Sequence, residues 1–246
     1  MTELKYSKFG LMYCQIWFNT KEIISAGDYK GIDILELRES YTSLNGKLSP
    51  FKNGIIDLTK PVDAIFERLD KGFRYEVRRA EKETVRLDAV KDLTSKHVTL
   101  IYKFYKQFCE DKEISPISLE FFLLYSRQQA LYISMAFLEG LTLQYHIYLR
   151  GVHELILLAS FPGSLKARKN ILGFANRALH WNDIKFALNA GLSVYNLGGM
   201  GNVKGSNATI VNFKNEMAPD VKEYFNGLIP LTLKGKLYMQ IKRTLK

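Results

Sequence analysis

Pro162–Gly199 reads PGSLKARKNILGFANRALHWNDIKFALNAGLSVYNLGG, and this stretch decides the fold. It opens as a loop rich in Gly and basic residues, continues in helix formers from Gly173 to Ala190, and ends in a short strand over Leu192–Leu197 before Gly198-Gly199. Just ahead of it, the apolar run Glu154–Ser160 fits a strand buried on both faces. The unit is therefore strand, loop, helix, strand, and its helix is a crossover between two roughly parallel strands.

The start of such a helix suits an anion. Amide N–H groups in the first turn have no internal partner, and the helix dipole adds positive character there. Lys166, Arg168 and Lys169 precede Asn170, Gly173 and Ala175, and Gly173 would admit a ligand close to the backbone. These six residues are the expected cradle for a phosphorylated small-molecule donor; the alternative is a solvated basic loop.

Working outward, Leu131–Leu138 and Leu141–Leu149 are strands joined by Glu139-Gly140, and with Glu154–Ser160 they form three antiparallel strands in succession. Ser95–Cys109 and Ser118–Gln129 are helices, and Thr84–Val90 is a strand. In the first third, Leu11–Phe18, Ile32–Leu37 and Ile55–Leu58 are strand-like, and Ser40 to Asn53 is a polar loop between them. From Val62 to Ala80, Val62, Ile65, Phe66, Leu69, Phe73, Val77 and Ala80 recur at helical spacing, with Arg74, Arg78, Arg79 and Lys82 on the outer face.

The predicted class is α/β of the α+β type, a mixed, mostly antiparallel sheet with helices on both faces. Residues 1–83 are expected to form a β-rich N-terminal subdomain ending in the basic helix, and residues 84–246 the main domain.

At 246 residues, 47% of them hydrophobic, the chain can bury one substantial core or one core with a subdomain. The net charge of +10 points to anionic partners without choosing among nucleic acid, phosphorylated metabolites and an acidic membrane. A nucleic-acid module fits less well, because the basic residues are spread over several elements rather than interleaved with aromatics. Cys14 and Cys109 have no Cys or His company, which argues for two small hydrophobes in a reducing compartment and against a metal. MTELKYSKFG lacks the apolar core of a signal peptide, so a cytoplasmic protein is expected.

Period two in Leu141–Leu149 puts Thr142, Gln144, His146 and Tyr148 on one face. Such a stripe in a covered sheet implies a cleft, with His146 as its group titrating near neutral pH and Gln144 and Tyr148 as substrate contacts. A half-exposed strand with a solvated His146 is the other reading. His153 is expected exposed in a turn, and His180 packed on a helix flank beside Trp181. The last segment carries Leu233, Leu237, Ile241 and Leu245 at i, i+4 spacing among basic residues, either docked on its own domain or in peripheral contact with an anionic membrane.

This order of elements resembles the GNAT acyltransferase superfamily. Asn170, Gly173 and Ala175 stand where that family has Gln or Arg, Gly, and Gly or Ala at the acyl-CoA pyrophosphate. The FemAB/FemX-like branch is a nearer resemblance, carried by Arg74-Tyr-Glu-Val-Arg-Arg-Ala-Glu-Lys82, by Trp181 to Gly199 with Asp183-Ile184, Gly191 and Tyr195-Asn-Leu-Gly-Gly199, and by Phe213-Lys214.

The resemblance implies transfer of an acyl or aminoacyl group to the amine of a cell-envelope precursor, an amino sugar or a peptide. Acyl-CoA, such as acetyl-CoA, or aminoacyl-tRNA would be the co-substrate, with no metal. It also implies a gap between splayed fourth and fifth strands, Tyr195 as proton donor to the leaving group, Lys214 as a cation near the carbonyl, and Trp181, Asn196, Gly198 and Gly199 around the acceptor. On length, the chain is expected to hold one complete lobe and a short N-terminal piece of the two-lobed FemX type. A true aminoacyl-tRNA-dependent transferase and a non-catalytic binding protein on the same fold are the alternatives.

Overall fold

The computed structural model describes residues 2–90, 92–163, 168–200 and 208–244. In chain order the elements are β1 (Thr2–Lys8), β2 (Leu11–Trp17), β3 (Ile34–Ser40), β4 (Ser49–Asp57), α1 (Val62–Arg68), α2 (Lys71–Lys82), β5 (Arg86–Ala89), α3 (Ser95–Asp111) and α4 (Leu119–Arg127). Then come β6 (Leu131–Leu138), β7 (Leu141–Arg150), β8 (Glu154–Pro162), α5 (Lys169–Asn189), β9 (Val194–Gly199), α6 (Ala208–Met217), β10 (Asp220–Pro230) and α7 (Leu233–Thr244).

The chain divides into two compact units, Met1–Asn53 with Lys222–Lys246, and Gly54–Val221. The sequence places a boundary after residue 83; the structure instead groups the basic helix α2 with the main unit and returns the last residues to the first. Pairing between segments far apart in sequence, β3 with β10, draws the last residues back. No local composition shift marks such a return.

In the first unit β1 and β2 form a hairpin, β2 lies parallel to β3, and β10 runs antiparallel to β3. Cys14, Ile16, Leu35 and Leu37 make one side of its core. β1 was not expected: TELKYSK is mostly polar, and Leu4 is buried in it while Glu3 and Lys5 face solvent. β4 is likewise longer than Ile55–Leu58, taking in Ser49–Asn53 from the expected loop.

In the second unit β5 to β8 form an antiparallel ladder, and β8 pairs in parallel with β9. Glu139 and Gly140, at φ 50° and 78°, close the β6–β7 turn in the left-handed conformation that two-residue hairpins need. Helix α5 covers one face, with Ala175 and Leu179 against Ala136 and Leu143, and Ile184 and Ala187 against Tyr148, Leu155 and Tyr195. Helix α3 covers the other, where the Tyr105 and Phe161 rings lie 5.6 Å apart. The fold class is as the sequence predicts: a mixed, mostly antiparallel sheet between helices.

The single helix expected over Val62–Ala80 is two. Leu69 turns extended at φ −69°, ψ 151°, and Asp70 caps α2 by accepting from the Gly72 and Phe73 amides. Ile65, Leu69, Phe73 and Val77 nevertheless all enter the same core, so hydrophobic spacing runs on unbroken through the kink. Helix α5 begins at Lys169, four residues before the expected Gly173, and ends at Asn189, with Gly191 at φ 72° just past its C-cap Ala190.

Candidate active site

Strands β8 and β9 pair only from Glu154 to Ile156 against Val194 to Asn196. Both continue beyond that register, to Pro162 and Gly199, so they part company. A bulge on β8 falls at the same place, because Tyr148 opposes Leu157 and its neighbour Ile147 opposes Ala159, leaving Leu158 as the extra residue. A cavity of about 710 Å³ opens there, lined by Leu157 to Ser160 of β8 and Leu197 of β9. Its remaining walls are Asn176, Arg177 and His180 of α5, Asn212, Phe213, Lys214 and Glu216 of α6, and Tyr105, Phe108 and Ile114.

Behind the cavity lies a buried polar network. Tyr148 donates to Asp183 Oδ2 at 2.7 Å, and the Tyr148 and Tyr195 hydroxyls are 2.7 Å apart. His180 Nδ1 stands 2.6 Å from the Tyr195 hydroxyl. Asp183 also takes His146 Nδ1 at 2.8 Å and the Tyr132 hydroxyl at 3.3 Å.

The line of hydroxyls can run toward the carboxylate. With Tyr148 donating to the carboxylate, Tyr195 must donate to Tyr148, and the Tyr195 oxygen then accepts from His180 Nδ1–H. His180 is left with a lone pair on Nε2, and that atom is buried without a hydrogen-bond partner among the described residues. Burial, with the charges of His146, Arg177 and Lys214, holds its pKa well below the ordinary 6.5, so the ring is neutral. Burial first, then Asp183, pushes the Tyr148 and Tyr195 hydroxyls well above their ordinary value, so both stay protonated.

This arrangement changes several expectations. His146 is fully buried, not solvated and not at a cleft: Nδ1 meets Asp183 and Nε2 meets Asn176 Oδ1 at 2.8 Å. Helix α5 lies over the stripe, which period two in the strand cannot reveal. Gln144 donates to Ser160 Oγ at 2.9 Å, and Tyr148 belongs to the network; neither lines the cavity. Tyr195 is buried too, and reaches the cavity only through His180. His180 was expected as a packed flank residue; it is wholly buried and forms part of the cavity wall.

Lys214 does line the cavity, donating from Nζ to the Gly199 carbonyl at 2.6 Å. Arg177 beside it pairs with Glu76 at 3.1 Å and Glu216 at 3.3 Å and lies over the Phe213 ring. Trp181 packs on Phe66, their centroids 4.6 Å apart. Asn196 is buried, donating to Glu154 and accepting from the Gly198 amide, and so shapes the turn at Gly198, φ 72°. Trp181, Asn196, Gly198 and Gly199 are not cavity walls.

The expected phosphate cradle is altered. Arg168 is the N-cap, with no side-chain cap bond, and Lys169 and Asn170 occupy the exposed first turn. Gly173 and Ala175 lie within α5, so their amides serve the helix. Ala175 is core, and a Cβ on Gly173 would meet Glu76 Oε2 at 3.4 Å, which gives this glycine a role in the approach of α2 to α5. Lys166 lies outside the described residues. Among the described residues no group of three or more His, Cys, Asp or Glu could hold a metal ion, and no helix is long and apolar enough to cross a membrane.

No family model matches the sequence, and no curated protein matches it. Solved structures do match. FemX superposes with a TM-score of 0.67 at 11% identity, over 97% of this chain and 85% of that one. L-PGS from Bacillus licheniformis does so with a TM-score of 0.55 at 15% identity, over 98% and 88%. At these identities the likeness is one of fold: the chain has the GNAT-like, FemX-type fold.

Proposed function

We propose that this protein is an N-acyltransferase that moves an acyl or aminoacyl group from an activated donor to the amine of a cell-envelope precursor, an amino sugar or a peptide stem. The observation that carries the reading is the parting of β8 from β9 at the Leu158 bulge, with the cavity in the gap. A strand whose amides are released from a ladder offers N–H groups to a carbonyl that becomes negative, the largest single aid to acyl transfer.

In this reading the acceptor nitrogen attacks the donor carbonyl carbon and passes a proton to His180 Nε2, directly or through one water. The C–S or C–O bond to the leaving group then breaks, and the proton held on His180 Nε2 passes to the leaving sulfur or oxygen, which restores the neutral imidazole. Tyr195 and Tyr148 fix the His180 tautomer and connect the developing imidazolium to the Asp183 carboxylate. His180 is thus the base in place of His146, and Tyr195 is a positioning residue. Lys214 and Arg177 supply positive charge for a donor phosphate or the carbonyl oxygen, and Arg168 and Lys169 would meet a phosphate at the start of α5.

An acyl-CoA or an aminoacyl-tRNA would serve as donor. A thermal-shift screen against acetyl-CoA, longer acyl-CoAs, aminoacyl-tRNA and nucleotide-linked amino sugars tests both, because a ligand of the native state raises Tm. A donor that raises Tm in the parent but not in Lys214→Glu/Arg177→Glu supports the site. No shift with any donor, together with no transfer activity, would favour a binding protein on the same fold.

A further inference from the structure

Helix α7 is apolar on two sides. Its inner side rests on the first unit, where Tyr238 and Met239 pack against Leu11, Tyr13 and Ile34, and where a Cβ on Gly235 would stand 2.4 Å from the Asp33 carbonyl oxygen. The outer side carries Leu233, Leu237 and Ile241, exposed by 84%, 59% and 52%. A helix that merely docked its stripe would have buried these three.

A second exposed apolar group meets the same helix through Tyr238. Phe9, 73% exposed, occupies the β1–β2 turn at φ 51°, a left-handed conformation that suits Asn, Asp or Gly and strains an aromatic residue. Its ring stacks on Tyr238 of α7 at 6.3 Å, and Lys234 Nζ donates to the Gly10 carbonyl at 2.5 Å, tying the turn to the helix. The stack on Tyr238 still leaves most of the Phe9 side chain open to solvent.

The surroundings are basic. Lys234, Lys236 and Lys242 are exposed on α7, Lys8 lies over the Phe9 ring at 5.4 Å, and Leu233–Thr244 contains no acidic residue. A second copy of the chain seated face to face would set these lysines against their own equivalents. An anionic lipid surface meets both features, taking aliphatic and aromatic side chains below the headgroups and lysines among them.

We infer that α7 and the Phe9 turn form a docking surface for an anionic membrane. The inference is independent of the proposed chemistry, since it concerns the first unit only and is read without turnover.

The test is sedimentation of the full chain with vesicles of phosphatidylglycerol and phosphatidylcholine, and with phosphatidylcholine alone. Binding is expected to the anionic vesicles, to weaken with salt, and to fall about tenfold or more in Leu237→Glu/Ile241→Glu. Phe9→Asn should bind less while melting no lower than the parent, which separates docking from folding. A parent that stays in the supernatant with anionic vesicles overturns the inference, as does a double variant that binds like the parent. Self-association of the parent in sedimentation velocity, abolished by the same two substitutions, would assign the face to a second copy instead.

Discussion

His180 Nδ1 and the Tyr195 hydroxyl lie 2.6 Å apart inside the second unit, and this contact orients the imidazole that forms part of the cavity wall. The two residues are fifteen apart in sequence, one on α5 and one on β9. The proposed proton transfer passes through this pair.

Removing the imidazole should therefore cost rate more than binding. In His180→Ala, turnover is expected to fall about a hundredfold or more, with donor affinity nearly unchanged. Steady-state kinetics with whichever donor raises Tm would check it; near-parental turnover would move the base elsewhere. Tyr195→Phe should lower turnover by roughly tenfold and displace the pH profile of kcat/KM, because the ring loses the acceptor that fixes its tautomer.

His146 should behave as a structural residue. His146→Ala leaves the buried Asp183 carboxylate short of a partner and opens a small void, so a loss of about 2 to 4 kcal/mol in stability is expected. Urea unfolding measures it. A variant as stable as the parent, yet inactive, would restore His146 to the chemistry.

The pH dependence of folding follows from His180. Its folded pKa lies well below 6.5, so below that pH the unfolded chain binds a proton that the folded chain refuses. Its contribution to stability is complete above pH 6.5 and declines as pH falls through and below 6.5. The slope of unfolding free energy against pH in that acid range should be shallower in His180→Gln. Equal slopes would show that other groups govern acid unfolding.

Gly173 offers a test of helix packing against phosphate binding. Gly173→Ala places a Cβ at ordinary contact distance from Glu76 and removes a flexible residue from a helix, so stability should rise by about 0.5 to 1 kcal/mol with donor binding retained. Gly173→Val should press on the Glu76–Arg177 pair and lower stability. Loss of donor affinity in the alanine variant at parental stability would put a phosphate at Gly173 after all.

Salt separates the donors. Arg78 lies over Phe66, Arg79 lies over Phe174 and pairs with Glu83, and Arg74 donates to the Glu67 carbonyl, so the basic face of α2 already has internal partners. Donor affinity should accordingly fall only gently with salt, and Arg78→Glu/Arg79→Glu should alter stability more than affinity. A steep decline, removed by that double change, would mark a tRNA making many phosphate contacts.

By itself the sequence determined the fold class, because alternation in Leu131–Leu149, the apolar run from Glu154 and the Gly-bounded helix before β9 are local patterns with one periodicity each. It also showed α7 to be amphipathic. It did not reveal β1, whose residues are mostly polar, nor the break at Leu69, where both helices keep the same buried side.

The candidate site was the least legible part. His146 and Tyr195 were singled out as single residues on strands, yet their roles depend on α5 lying across β7 and β9. His180 gave no sign in the sequence, since one histidine in a helix does not disclose which face is buried. Only tertiary structure brings Asp183, Tyr148, Tyr195 and His180 into one hydrogen-bonded line, because hydrogen bonds act over about 3 Å whereas these residues span β7, α5 and β9. The outward turn of Leu233, Leu237 and Ile241 was likewise settled in three dimensions, where Gly235 and Tyr238 took the inner side of the helix.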